Sequence, residues 1–524
     1  MMRDFHLPGR STVHALNGMA ATSHPLASLT AVETLRAGGN AVDAAIAAAF
    51  VLGIAEPQMC GIGGDCFVLL KPAGTEDVLA LNGSGRAPAA LSAEAIRAQG
   101  HASMPIHGIL PVTLPGAIDA FCRLHADHGR LDWSRLLAPA ITCAEEGVPV
   151  APRTAFDWAD DLPVLQGRAR EIYSFDGRAP RIGEVFRNPL QAEVLRRIAH
   201  QGRKGFYEGE VAEDMIASLR ALGGCHTLDD LAATSCNYTQ PIAGTYGGLE
   251  LLEHPPNGQG ATAILLLNIL KRFDLRAMSP GGAHRAHIEA EAAKLAYDAR
   301  DRFIADPTLR LDHMLSQDTA DRLATLIDPS RAMADPAPLT EAMHKETVYL
   351  TVVDRDRMAI SLIYSIFWGF GAGLASDRFG INFQNRGAGF TLTEGHPNEA
   401  AGGKRPMHTI IPGMLRQNGR VTMPFGVMGG AYQPCGHARF VSNLVDFGMD
   451  PQAAIDAPRS FAGFEGLEVE RGYSAEVREA LARMGHSVSI PAIPLGGAQA
   501  ILIDEGGTLT GASDPRKDGC ALGY

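Results

Sequence analysis

The stretch EAMHKETVYLTVVDRDRMAISLIYS, residues 341–365, is where the chain changes character. A charged, helix-like approach ends in Lys345-Glu346, and a β pattern opens abruptly on Thr347. A short charged turn then leads into a second β run. Threonine is β-branched and suits a strand start, so its presence there has a purely structural reading. The chemical reading is that Thr347 is a nucleophile whose own α-amine becomes available when the preceding bond is cut. Such an amine, with an unperturbed pKa of ~7.7–8.0, is well matched to take the hydroxyl proton.

Outward from this point the composition divides. Upstream, residues 27–55 read as two helices split by the Gly-Asn stop at 38–40, and residues 115–148 as helical with a break near His128-Gly129. EPQMCGIGGDCFVLLKP reads as a glycine-rich turn running into a strand, with a hairpin partner near residues 77–83. In residues 282–303, Ile288, Ala292, Leu295 and Ala299 recur at helical spacing. Residues 304–346 look like a surface excursion, Pro- and Asp-rich and then helical. Downstream of Thr347, β runs with glycine-rich corners dominate, with helices near 437–457 and 474–485.

At 524 residues the chain exceeds the ~250–300 at which single cores usually stop growing, so two lobes or one large layered domain are expected. Lys and Arg total 46 against 58 Asp and Glu, a net charge of −12, and no basic block occurs. That balance argues against nucleic acid or an anionic membrane as partner. The apolar run at 41–55 is too short to span a bilayer and contains Asp43, so a buried helix is expected. No secretory signal pattern opens the chain, and eight cysteines without a CxxC pair suggest reduced thiols; the expected location is cytoplasmic.

GIGGD (61–65) lacks the Lys-Ser/Thr of a phosphate loop and precedes a strand, so no nucleotide cofactor is expected. His284, His287 and Glu291 share a helix face, but a fourth ligand at compatible spacing is missing, so a solvated or inter-lobe face is expected and no metal. GVMGGAY (426–432) is more suggestive, because paired glycines let backbone N–H groups converge as an oxyanion nest. Ser365, His408 and Thr409 supply further hydroxyl and imidazole groups.

With these residues in view, the chain resembles the γ-glutamyltranspeptidases. The resemblance is carried by residues 18–70, VTLPGAIDAF (112–121), HPPNGQGATAILLLNIL (254–270), FGAG (370–373), KRPMHTIIP (404–412), GVMGG (426–430) and GASDPRKDGCALGY (511–524). It implies an N-terminal nucleophile hydrolase with a four-layer αββα core. It also implies self-cleavage between Glu346 and Thr347, giving a large subunit, 1–346, and a small one, 347–524. Thr347 would then be nucleophile and base, with Gly429 and Gly430 as the oxyanion hole. The partners expected are a small-molecule amide and the two subunits of one precursor, with a dimer of such heterodimers as a further arrangement.

The specificity residues depart from the family pattern. Ser84 stands where the family's carboxylate-binding arginine lies, and Arg86 is two positions out of register. Gly389 occupies the place of the acid that takes the substrate α-amine, Phe367 that of an asparagine, His408-Thr409 that of a double serine, and Val348 that of a threonine. A zwitterionic α-amino acid needs paired charges for oriented binding. An acyl group with a carboxylate and no α-amine therefore suits this chain better, held by Arg386 and His408, as in an amidohydrolase or acylase of the oxamate or cephalosporin kind. Arg386 has the alternative of an inter-subunit salt bridge. True γ-glutamyl transfer or glutathione hydrolysis is the family's formal activity. A catalytically inactive binding relative is the competing class, against which the retention of Thr347, Gly429 and Gly430 argues.

Overall fold

The computed structural model describes residue 6 and residues 9–333, 347–463 and 466–524. Two seven-stranded sheets lie face to face. The first runs in the order Val13–Ala15, Leu509–Ser513, Gly497–Ile503, Arg420–Met428, Gly413–Gln417, Leu249–Glu253, Ile242–Tyr246. The second runs Ala521–Gly523, Met19–Thr22, Val348–Val353, Ala359–Ser365, Asp65–Lys71, Leu79–Gly83, Asn237–Thr239. Neighbouring strands in both sheets are antiparallel.

Helices Pro25–Arg36 and Ala41–Ala55 cover the outer face of the second sheet, and Gly260–Leu270 and Gln433–Val445 that of the first. The result is the expected αββα stack. The central strands Val348–Val353, Ala359–Ser365 and Asp65–Lys71 are buried at every residue, because one face meets the helices and the other the opposite sheet. Between the sheets, Phe67, Tyr349, Ile363, Ile410 and Met428 pack together. Gly426 makes room there: a Cβ on it would lie 2.4 Å from the Tyr349 ring.

The helices fall where the hydrophobic pattern places them, at Ala117–His128, Trp133–Glu146, Ala283–Phe303 and Ala475–Arg483. Asp43 has an assigned task in the buried helix: it completes a capping box with Asn40. Residues 304–333 fold back as two short helices, Leu311–Leu315 and Gln317–Ala324, that bury Met314 and Ala320. The face of His284, His287 and Glu291 needs correction. His284 is exposed, but His287 and Glu291 are completely buried, because the turn carrying His486 and the segment 328–333 close over them.

The change of composition at 346/347 is no boundary between compact units. Both sheets take strands from either side of it. Among the described residues no helix is long and apolar enough to cross a membrane.

Candidate active site

Sheet register assembles the site. Val348 pairs with Tyr364, Tyr364 with Cys66, and Cys66 with Gly83. One step toward the sheet end puts Thr347, Ser365, Asp65 and Ser84 in a single row on one face, since side chains alternate with period two. Thr347 is only 2% exposed, and its Oγ1 donates to Ser365 Oγ at 3.3 Å. Glu346, the other half of the expected cleavage bond, lies outside the described residues.

Ser365 Oγ also accepts from Arg386 Nη2 at 3.1 Å and from the Phe367 amide at 2.9 Å. Arg386 Nη1 donates to Thr409 Oγ1 at 3.1 Å, and the guanidinium lies over the Phe367 ring, 4.1 Å from its centroid. Phe367 takes a φ of +84°, a genuine outlier for a bulky residue and the kind of strain that collects at functional sites. Arg386 is wholly buried, its Nε has no hydrogen-bond partner, and no carboxylate forms an ion pair with it among the described residues. Burial lowers its pKa to about 9, with Asp65 pulling the other way, so it stays charged at neutral pH.

Asp65 is the acid of the row. Its Oδ1 accepts from the amides of Gly85 (2.8 Å) and Gly116 (3.2 Å) and from Gln384 Nε2 (2.9 Å). Its Oδ2 faces His408 Nε2 at 3.1 Å. The Ile410 amide donates to His408 Nδ1, so the ring proton sits on Nε2 and is given to Asp65. Burial and the Arg386 charge hold His408 neutral, with a pKa far below its ordinary value. Burial raises the Asp65 carboxyl to about 6 against the opposing pull of Arg386.

Ser84 accepts from Asn257 Nδ2 at 3.1 Å. Arg86 turns to Asp306 (3.4 Å) and the Gly403 carbonyl (2.9 Å), beside a cavity of about 170 Å³ that Ser84 also lines. Gly389 brings no charge, and its carbonyl is held by Asn398. Gly429 and Gly430 lie where the strand Arg420–Met428 turns toward the helix Gln433–Val445, with φ of +122° and +56°. A Cβ on Gly429 would sit 2.8 Å from the Gly496 Cα, so this turn requires glycine. Gln259 Nε2 clips the turn to the rest of the site by donating to the carbonyls of Thr409 (2.7 Å) and Gly430 (3.0 Å).

One bonded path thus connects Thr347, Ser365, Arg386, Thr409, Gln259 and Gly430. Sequence reasoning missed Asp65 and Gln259. Each stands beside glycine in a quoted motif, GIGGD and HPPNGQG, and a lone buried polar residue in a glycine turn was the available signal.

A family model described as gamma-glutamyltranspeptidase matches residues 27–524. A glutathione hydrolase-like proenzyme of Bacillus subtilis is 34% identical, over 96% of this chain and 98% of its own length. An oxamate amidohydrolase proenzyme of Klebsiella pneumoniae is also 34% identical, over 97% of this chain and 98% of its own. Among solved structures, a cephalosporin acylase from Bacillus halodurans superposes with a TM-score of 0.92 at 37% identity, covering 100% of this chain and 99% of that one.

Proposed function

The chain belongs to the gamma-glutamyltranspeptidase family of self-processing amide hydrolases, and from that premise we propose that it hydrolyses amides of short acids that carry a carboxylate but no α-amine, with Thr347 as nucleophile and Arg386 as the carboxylate anchor. The observation that carries this reading is the buried guanidinium of Arg386. It lies one hydroxyl away from Thr347 Oγ1 and has no carboxylate in ion-pair contact among the described residues.

In the first stage the Thr347 hydroxyl attacks the Glu346 carbonyl carbon. The peptide bond becomes an ester with release of the Thr347 amine, and water cleaves the ester to leave subunits 1–346 and 347–524. In the second stage the free amine takes the hydroxyl proton while Oγ1 attacks the substrate amide carbon. The N–H groups of Gly429 and Gly430 stabilise the oxyanion, the leaving amine departs with the proton, and an ester acyl-enzyme remains for water to resolve.

The acyl group is short on this reading. Ser365 alone separates Thr347 Oγ1 from Arg386 Nη2, at 3.3 and 3.1 Å. At ~1.5 Å per bond, an acid of roughly two to four carbons spans that gap. A γ-glutamyl α-amine would need a free carboxylate, and Asp65 is already engaged by three donors and His408. The Klebsiella relative's name, oxamate amidohydrolase, fits the same chemistry.

Steady-state kinetics on oxamate, dicarboxylic acid monoamides and glutathione test this. Arg386→Ala is expected to raise KM for the acidic amides by about 10–100-fold, the worth of a hydrogen-bonded charge, and to leave a neutral amide unaffected. An unchanged KM for the acidic amides, or glutathione as the best substrate, would overturn it.

A further inference from the structure

The helix Ala283–Phe303 carries a second cluster that the Thr347 chemistry does not use. His287 and Glu291 stand one helical turn apart on it, and the chain after helix Ala475–Arg483 brings His486 onto both. All three are buried, at 0%, 0% and 8% exposure. His287 Nδ1 lies 2.7 Å from His486 Nε2, which is 4.0 Å from Glu291 Oε1, and one ligand atom from each residue falls within 4.8 Å of the others.

The hydrogen bonds around the cluster fix its protons. His287 Nε2 is 2.8 Å from the Asp328 carbonyl oxygen, which can only accept, so the ring proton is on Nε2 and Nδ1 presents a bare lone pair. Glu291 Oε2 accepts from the Met333 amide at 2.8 Å. Its Oε1 accepts from Lys294 Nζ at 2.8 Å and retains a second lone pair. Two imidazoles and a carboxylate, with His287 and Glu291 each steadied by an outer partner, make the donor set of a zinc site.

We propose that His287, Glu291 and His486 bind a divalent transition-metal ion, Zn²⁺ in first place, with a water at the fourth position. Zinc bonds of ~2.0–2.2 Å put tetrahedral ligands ~3.3 Å apart, between the 2.7 and 4.0 Å observed. The ion takes the place of the single proton between the two rings. The His486 proton moves to Nδ1, a tautomer exchange that leaves the ring neutral. Where the chain is cut before Thr347 (this consequence rests on the reading above), the ion joins the large subunit, through His287 and Glu291, to the small subunit, through His486. It also fixes the Asp328 and Met333 backbone that leads toward the cut.

The full-length protein, freed of metal with a chelator, is titrated with Zn²⁺ by calorimetry and then with Co²⁺ by visible absorption. The expected result is about one Zn²⁺ per chain and a tetrahedral Co²⁺ spectrum. Both should be lost in His486→Gln, whose amide can still donate to His287, and in Glu291→Gln, and kept in His284→Ala. Wild-type protein that binds no Zn²⁺, or binding that survives in His486→Gln, overturns the site. Because the Co²⁺ spectrum is read on wild-type protein, an octahedral spectrum also overturns it even where a variant fails to fold. Neither readout depends on amide hydrolysis, so failure here is distinct from failure of the Thr347 reading.

Discussion

Gly429 has little conformational freedom in the site. Its φ of +122° and the Gly496 backbone 2.8 Å from any Cβ both demand glycine. Gly429→Ala is therefore expected to displace the proposed oxyanion donor and lower kcat by ~10²–10³, read as slower acyl-enzyme formation in a rapid-mixing burst. Asp65 makes a second residue-scale prediction. On the proposed mechanism, activity needs the Thr347 amine neutral, which gives an acid limb of slope one below ~7.7–8.0. It also needs Asp65 ionised to accept from His408 and balance Arg386, and that carboxyl, raised mainly by burial, protonates below about 6. The slope of log kcat/KM for an acidic amide should steepen from one to two below about 6 in wild type and stay at one in Asp65→Asn. A single slope in wild type would remove Asp65 from the mechanism. At this scale the sequence was legible for position, with Thr347 just ahead of the strand Val348–Val353 and Gly429 and Gly430 in a turn with positive φ. It was opaque where burial gave the residue its meaning: nothing in GIGGD says that its aspartate faces a histidine more than three hundred positions later.

The element that shows the same division is the helix Ala41–Ala55. Its existence follows from an apolar run between a capping Asn40 and a glycine-rich turn, and all fifteen of its residues are buried. What the run does not reveal is the cost of its end. Glu56 caps the C-terminus inside the core, where burial raises its carboxyl to about 7 despite a hydrogen bond from Ser23 and the nearby Lys517. The native state thus holds this proton more tightly than the unfolded chain. The stability it contributes is complete below the ordinary carboxyl range and is lost as pH rises through about 7. Denaturant unfolding from pH 4.5 to 8 should show wild type losing roughly 3 kcal/mol that Glu56→Gln keeps. Parallel curves would mean that Glu56 is not buried as a free acid. The helix Ala283–Phe303 repeats the lesson, since its apolar spacing was readable but His486, nearly two hundred residues away, was not.

For the whole molecule, both sheets interleave strands from the two sides of 346/347. Cleavage there should leave the halves associated, co-eluting on size exclusion until denaturant separates them; halves that part in native buffer would contradict the shared core. The αββα stack was legible through the family resemblance; pattern and length alone left two lobes or one large layered domain open. The interleaving was not, because strand order is set by packing between segments far apart in sequence. The central claim is that Thr347 makes itself an N-terminus. Intact mass spectrometry of freshly purified, denatured protein beside a Thr347→Ala control tests it most directly. Two masses, 1–346 and 347–524, in the wild type and one uncut mass in the control are the predicted result. A single uncut mass in both, or cleavage that persists without Thr347, would contradict it.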